Sequence, residues 1–276
     1  MKNTRESTDK KFFYKKSLGQ NFLTDDSLLE KIVELSGVDE NSVVIEIGCG
    51  AGALTKHLAK KVKKVIGYEI DGRLIPNLKE LSGVYKNLTV IHNDVMKEEM
   101  SEIERVAGED FYLVANLPYY ITTPVIMRFI ENSNHVKGIT VMVQEEVADR
   151  LAANPGDSDY GAITASINLV GNAKKVLRVG REKFTPSPNV DSAVVRIAIE
   201  RNKFTGKNQT AIKDAIRCGF SGRRKTLVNN IINYYKTDRK TAEKIVLDAG
   251  FDLLVRGERL SAQDYVKLSE FTVKLK

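Results

Sequence analysis

The residues with the clearest chemistry stand together at Asn116-Leu117-Pro118-Tyr119, directly after the apolar run Phe111 to Ala115. That run reads as a buried strand, and α/β sheets place reactive groups just past the carboxyl ends of their strands. Pro118 stiffens the turn and brings no N–H. Asn116 offers a side-chain carbonyl, and the backbone carbonyl of Leu117 or Pro118 offers a second acceptor. Tyr119 adds a flat aromatic face. Two acceptors beside an aromatic plate suit an exocyclic amine on a planar base. A helix is expected to follow from about Thr123.

A second constellation lies upstream. The β-branched run Val43 to Ile47 leads into Gly48-Cys49-Gly50-Ala51-Gly52, and a helix can open over Ala53 to Leu58. Glycines there allow a tight turn and close approach of backbone to a ligand, with helix N-terminal amides facing it. The spacing is E-x-G-x-G-x-G, not the dinucleotide G-x-G-x-x-G. An acid at Glu46 would repel a pyrophosphate but suits a cationic amine or sulfonium, which points to S-adenosylmethionine. Glu69 ends a second strand, Val65 to Ile70, 21 residues after Gly48. In a doubly wound sheet that register meets the ligand ribose. A third strand, Leu88 to His92, leads to Asp94, placed to accept a hydrogen bond from an adenine amino group. No cation stands beside Asp94 in the reading of the sequence. His57, His92 and His135 have no partners in sequence and receive no role. Cys49 and Cys218 show no metal-ligand spacing, so no metal is expected. Neither a Walker G-K-[ST] nor an H-E-x-x-H motif is present.

These groups need a scaffold. A helix beginning near Asp25 or Asp26 carries Leu28, Leu29, Ile32, Val33 and Leu35 at helical spacing and stops at Gly37. A fifth buried strand is expected over Ile139 to Val143, a helix over Gln144 to Leu151 and a polar loop over Asn154 to Ser158. Strands Val176 to Val179 and Ser192 to Ile199 enclose a Phe184-Thr185-Pro186-Ser187-Pro188 loop. A polar linker at Glu200 to Gln209 precedes helices over Ala211 to Phe220, Lys225 to Tyr235, Thr241 to Leu247 and Ser261 to Leu275. Asp238 is a candidate N-cap and Gly250 a candidate stop. The expected architecture is α/β: a Rossmann-like sheet with helices on both faces at 15–202, a small all-α domain at 203–276, and a flexible basic tail at 1–14.

Charge is unevenly spread over the 276 residues, whose formal net charge is +7. Residues 201–276 hold 17 Lys and Arg against 8 Asp and Glu, and residues 1–24 hold 6 against 2. The stretch 25–200 is mildly acidic, with 20 against 26. Basic material at both ends favours a polyanionic partner, most simply nucleic acid. Lys10-Lys11-Phe12-Phe13-Tyr14-Lys15-Lys16 interleaves lysines with aromatics that could grip a backbone and stack on a base. No apolar run approaches membrane-spanning length, and the N-terminus lacks the apolar core of a secretory signal. The two cysteines are expected to be reduced thiols in a cytoplasmic protein. No signal for an oligomer is visible, so a monomer is expected.

The N-L-P-Y tetrapeptide with the E-x-G-x-G-x-G loop resembles methyltransferases that act on adenine or other amino nitrogens. Leu18-Gly19-Gln20-Asn21-Phe22-Leu23 and Phe184-Thr185-Pro186-Ser187-Pro188-Asn189-Val190-Asp191-Ser192-Ala193-Val194 narrow the resemblance to the ribosomal RNA adenine N6-dimethyltransferases. Phe220-Ser221-Gly222-Arg223-Arg224-Lys225-Thr226-Leu227 and Arg256-Gly257-Glu258-Arg259-Leu260-Ser261 look like its small-subunit, KsgA-type branch. The likeness runs from about Lys15 to Leu268. It implies an S-adenosylmethionine-dependent methyltransferase sheet, with Asn21 and Leu23 at the cofactor lid, Gly48 at the methionine end, Glu69 on the ribose and Asp94 on the adenine. Asn116 is shared between cofactor and substrate, and Phe184 faces Tyr119 across the target base. Arg223, Arg224 and Lys225 would contact RNA. The implied substrate is two adjacent adenosines near the 3′ end of small-subunit ribosomal RNA, each methylated twice. One departure stands out: the family usually has Asn after N-L-P-Y, and this chain has Tyr120. Two other readings remain open, a large-subunit methylase conferring antibiotic resistance and a ribosome assembly factor whose methylation is secondary.

Overall fold

The structure, a computed structural model, describes residues 22–200, 204 and 206–275. Its centre is a seven-stranded sheet. In chain order the strands are β2 (Val43–Ile47), β3 (Lys64–Glu69), β4 (Leu88–His92), β5 (Phe111–Asn116), β6 (Val136–Gln144), β7 (Gly171–Val179) and β9 (Ser192–Ile199). Across the sheet the order is β4-β3-β2-β5-β6-β9-β7. Neighbours from β4 to β6 are parallel, whereas β9 lies antiparallel between β6 and β7. The chain builds outward from β2 to β4, then returns to β5 on the other side of β2. That reversal opens a crevice at the carboxyl ends of β2 and β5, where such sheets bind ligands.

Alternation along the strands sorts the helices onto two faces. Val43, Ile45 and Ile47 of β2 pack with Ile103 of α4 (Met100–Ala107) and with Val125, Ile126 and Phe129 of α5 (Tyr119–Asn132). Ala148 and Leu151 of α6 (Glu145–Ala152) join the same face. Val44 turns the other way, toward Leu29, Ile32 and Val33 of α1 (Asp26–Ser36) and Leu54 and Leu58 of α2 (Ala53–Lys61). Leu81 of α3 (Ile75–Val84) packs against this second core. Helices on both faces explain why the strands read as continuous apolar runs.

Helix α7 (Ala162–Val170) faces two ways. Its Ile167 belongs to the sheet core, while Ala165 and Leu169 join a third cluster formed with α8 (Gln209–Gly219), α9 (Leu227–Tyr235), α10 (Arg239–Asp248) and α11 (Ala262–Thr272). The four C-terminal helices start on side-chain caps from Asn208, Thr226, Asp238 and Ser261, each cap worth about 1 kcal/mol. Gly250, left-handed at φ +80°, follows α10. Among the described residues no helix is long and apolar enough to cross a membrane.

The expected strands and helices are present, but helices α3, α4 and α7 and the first half of β7 are not expected from the sequence, and one boundary shift matters to chemistry. Helix α5 begins at Tyr119, not near Thr123. Pro118 serves as the N-cap, and Pro124 sits inside the second turn. Pro124 gives up the bond its missing N–H would have made to the Tyr120 carbonyl, and its ring crowds that carbonyl. Tyr119 and Tyr120 therefore stand on a helical turn and not in a loop.

Candidate active site

One cavity of about 400 Å³ lies over the carboxyl ends of the central strands. Each strand delivers its residues at its end: Glu46 to Leu54 after β2, Tyr68 to Ile70 after β3, Asn93 to Met96 after β4, and Asn116 to Ile121 after β5. A short antiparallel pair, β1 (Phe22–Leu23) with β8 (Phe184–Thr185), closes one side by setting Leu23 opposite Phe184. Lys183 and Asp25 flank this pair with a 2.9 Å ion pair, and that partner holds the Asp25 carboxyl well below the usual range.

The glycine loop is shaped by left-handed backbone. Gly48 and Gly52 have φ of +72° and +83°, and a Cβ on Gly52 would also meet Leu81 at 2.9 Å. Gly48 abuts the catalytic-type turn, since a Cβ there would lie 3.6 Å from Leu117 Cδ2 and 4.0 Å from the Asn116 carbonyl. Glu69 organises the floor. Its Oε2 accepts from Gly50 N–H and its Oε1 from Asp71 N–H, both at 2.8 Å. Burial pushes this carboxyl up, against the pull of those backbone donors. Each oxygen keeps a second lone pair for a ligand hydroxyl.

Glu46 is more deeply placed, 1% exposed, and burial pushes its carboxyl up to about 7. Its Oε2 has no hydrogen-bond partner among the described residues. A buried acceptor left open at a cavity wall is costly unless something meets it. The N-terminus of α2 points at the same place, supplying amides and a positive dipole end. The acids fit a diol, an amine and a positive charge, and the amides fit a carboxylate, all of which S-adenosylmethionine carries.

Asp94 lines the cavity and its Oδ1 accepts from Met96 N–H at 3.0 Å. The expectation of no nearby cation is corrected: Lys97 Nζ lies 3.8 Å from Oδ2, one helical-type step along the chain. That lysine is 81% exposed at its side chain, so the contact is screened and weak. Arg128 of α5 grips the same loop, donating from Nη1 to Met96 O at 2.5 Å and from Nη2 to Glu98 O. Nothing local in sequence announces this clamp, because its acceptors are main-chain carbonyls.

At the other end, Asn116 is half-buried at the tip of β5, and its amide makes no hydrogen bond among the described residues. Pro118 O already accepts from Ile121 N–H at 3.1 Å and Thr122 Oγ1 at 3.2 Å. Leu117 O is therefore the backbone acceptor left for a ligand. Tyr119 is half-buried and fixed by a 2.8 Å hydrogen bond between its hydroxyl and Ser192 Oγ on β9. Phe184 also lines the cavity and is itself packed into the core with Leu23 and Leu29.

Leu23, Gly48, Glu69, Asp94, Asn116, Leu117, Pro118, Tyr119 and Phe184 line this single cavity. Asn21, the lysine–aromatic stretch at 10–16 and the tail 1–14 lie outside the described residues. Arg223, Arg224 and Lys225 are exposed just before α9, away from the cavity. Arg223 is partly committed, donating to Ser158 O at 2.6 Å and tying the helical part to the loop after α6. His57 and His135 pair with Asp26 and Asp110 at the surface, outside the cavity. Among the described residues no group of three or more His, Cys, Asp or Glu could hold a metal ion.

A family model described as ribosomal RNA adenine dimethylase matches residues 11–272. The chain belongs to that family. It is 43% identical over 269 residues to the ribosomal RNA small subunit methyltransferase A of Bacillus licheniformis, with 94% of this chain and 91% of that one covered. The protein of the same name from Shouchella clausii is 43% identical over 265 residues, with 94% and 90% covered. Among solved structures, a dimethyladenosine transferase from Plasmodium falciparum superposes with a TM-score of 0.77 at 29% identity, covering 92% of this chain and 98% of that one. The 23S rRNA methyltransferase ErmE superposes with a TM-score of 0.69 at 26% identity, covering 91% and 99%. In this member of the dimethylase family the Asn116 turn and an acid-lined glycine loop share one cavity.

Proposed function

We propose that this chain transfers methyl groups from S-adenosylmethionine to the N6 amine of two adjacent adenosines near the 3′ end of small-subunit ribosomal RNA. The observation that carries the reading is the meeting of Asn116 and Leu117 with Glu69, Asp94 and the open Glu46 oxygen around one cavity. Bound there, S-adenosylmethionine would supply an electrophilic methyl group on a sulfonium. Glu69 would accept from the ribose hydroxyls and Asp94 from the adenine amine of the cofactor. Leu23, with Asn21 before it, would cover the cofactor. The target adenine must leave its stack to enter the cavity. Tyr119 takes one face of the base and Phe184 the other.

The target amine is a poor nucleophile because its lone pair is delocalised into the ring. Asn116 Oδ1 and Leu117 O accept its two hydrogens, favour a pyramidal nitrogen and stabilise the positive charge that grows there. Positioning in line with the methyl carbon supplies much of the remaining acceleration. No histidine lines the cavity, and none is required, since the amine becomes acidic once it is alkylated and can release its proton to water. We read residues 203–276, with Arg223, Arg224 and Lys225 exposed, as the part that grips RNA, and residues 15–202 as the catalytic part.

Mass spectrometry of ribosomal RNA tests the reading. Isolated small and large subunits are incubated with the protein and S-adenosylmethionine. Dimethyladenosine in the small subunit alone is expected. Methylation of the large subunit alone would assign the chain to the other branch, and an absence of methylated adenine in both would overturn the proposal.

A further inference from the structure

We propose that Tyr120 is a second stacking plate, one that holds the base next to the target adenosine at the mouth of the cavity. The inference rests on the function proposed above and extends it from the reacting nucleotide to its neighbour. Tyr120 lines the cavity, yet it is 66% exposed. Its hydroxyl has no hydrogen-bond partner among the described residues, so neither packing nor a polar contact in the fold accounts for the ring. Only one other large apolar side chain is both exposed and part of the cavity wall among the described residues. That is Ile70, which follows Glu69 at the cofactor end.

Helix geometry separates the two tyrosines. Consecutive residues on an α-helix point about 100° apart. Tyr119 is turned inward and pinned to Ser192, so Tyr120 on the same turn is directed outward, to the rim. A base flipped against Tyr119 drags its neighbour to that rim, because one phosphodiester link joins them. No side chain caps α5, and of its first amides Pro118 O takes only the Ile121 N–H, which leaves the amides of Tyr119 and Tyr120 for that phosphate. An exposed tyrosine face stacks on any base and best on a large one, and such stacks add affinity without reading hydrogen-bond edges. In a substrate with two adjacent adenosines the neighbour is a purine. The strand keeps its direction in the site, so the plate holds the partner adenosine in one round and the next nucleotide along the strand in the other.

The test compares wild type with Tyr120→Ala, Tyr120→Asn and Tyr120→Phe on small subunits. The subunits carry either intact ribosomal RNA or ribosomal RNA with an abasic nucleotide beside the target adenosine. Affinity for intact subunits is expected to fall about tenfold in Tyr120→Ala and Tyr120→Asn and to be kept in Tyr120→Phe. Affinity for S-adenosylmethionine and the melting temperature should not move, because the ring is exposed. Wild type should lose a similar factor on abasic subunits, and Tyr120→Ala should lose little more there. If wild type methylates intact subunits but Tyr120→Ala binds them equally well, the stacking role is overturned while the function stands. A loss in Tyr120→Ala that is equally large on abasic subunits, or that falls on S-adenosylmethionine, also overturns it. If wild type methylates no adenine at all, the function itself fails and the inference with it.

Discussion

At the scale of single residues, two buried carboxylates shape the cavity, and burial pushes both of them up. Glu46 is pushed up to about 7 by burial, so the fold prefers it protonated. Its contribution to stability is whole below the ordinary carboxylate range and is lost as pH rises through about 7, a change of about 3 kcal/mol. A cationic ligand prefers the ionised form. The empty protein should therefore lose stability between about pH 4.5 and 7 while S-adenosylmethionine affinity rises, and Glu46→Gln should flatten both trends. Denaturant titrations and calorimetry across that range check the pair of slopes. Glu69 is already anchored by two main-chain donors, so Glu69→Ala removes both a ligand acceptor and a brace of the glycine loop. Cofactor affinity should drop roughly 10- to 100-fold, the worth of a charge-assisted hydrogen bond or slightly more. Calorimetry that finds unchanged binding in a folded variant would remove Glu69 from the site. Both acids were legible in the sequence, because strand-end register is a local property. The choice between Leu117 and Pro118 as backbone acceptor was not. It depends on where Ile121 N–H and the Thr122 hydroxyl point, and that follows from α5 starting a turn earlier than its β-branched residues and Pro124 suggest.

At the scale of elements, α5 links the two halves of the cavity. Its first turn carries Tyr119 and its third carries Arg128, whose guanidinium holds the carbonyls of the Asp94 loop. Arg128→Met should free that loop and weaken S-adenosylmethionine binding several-fold, each charged hydrogen bond being worth roughly 1.5–3 kcal/mol. Backbone amides of residues 93–98 should exchange faster with solvent. Unchanged exchange in that loop would show that Arg128 is not its brace. The strands were plain from β-branched runs, and caps such as Asp238 from residue type. Helix α7 was harder to see. Its Ala162-Ile163-Thr164-Ala165-Ser166-Ile167-Asn168-Leu169-Val170 sequence is apolar on more than one side because it faces two cores, so it lacks the polar stripe that marks a surface helix. The pairing of β1 with β8 is likewise tertiary, since six of the seven sheet strands lie in the chain between Leu23 and Phe184.

At the scale of the whole molecule, an acidic sheet-bearing part carries a basic helical part, and the two are tied by Arg223 to Ser158 and by Gly156 N–H to Glu258 O at 2.8 Å. Reversing Arg223, Arg224 and Lys225 to Glu should weaken RNA binding and flatten its dependence on salt, leaving S-adenosylmethionine affinity intact because these residues lie away from the cavity. Equal affinity and equal salt slope would place the RNA footprint elsewhere. The charge asymmetry that motivates this was readable from composition alone, whereas the brace from Arg223 was not, because a basic run looks the same in sequence whether its side chains meet phosphates or carbonyls. The central claim is that Asn116 and its neighbour carbonyl activate an adenine amine inside this cavity. Single-turnover methyl transfer to small subunits, at saturating S-adenosylmethionine and subunit, tests it most directly. Asn116→Ala is expected to lower the rate about 10²- to 10³-fold while subunit affinity changes far less. A rate for Asn116→Ala close to that of wild type would contradict it.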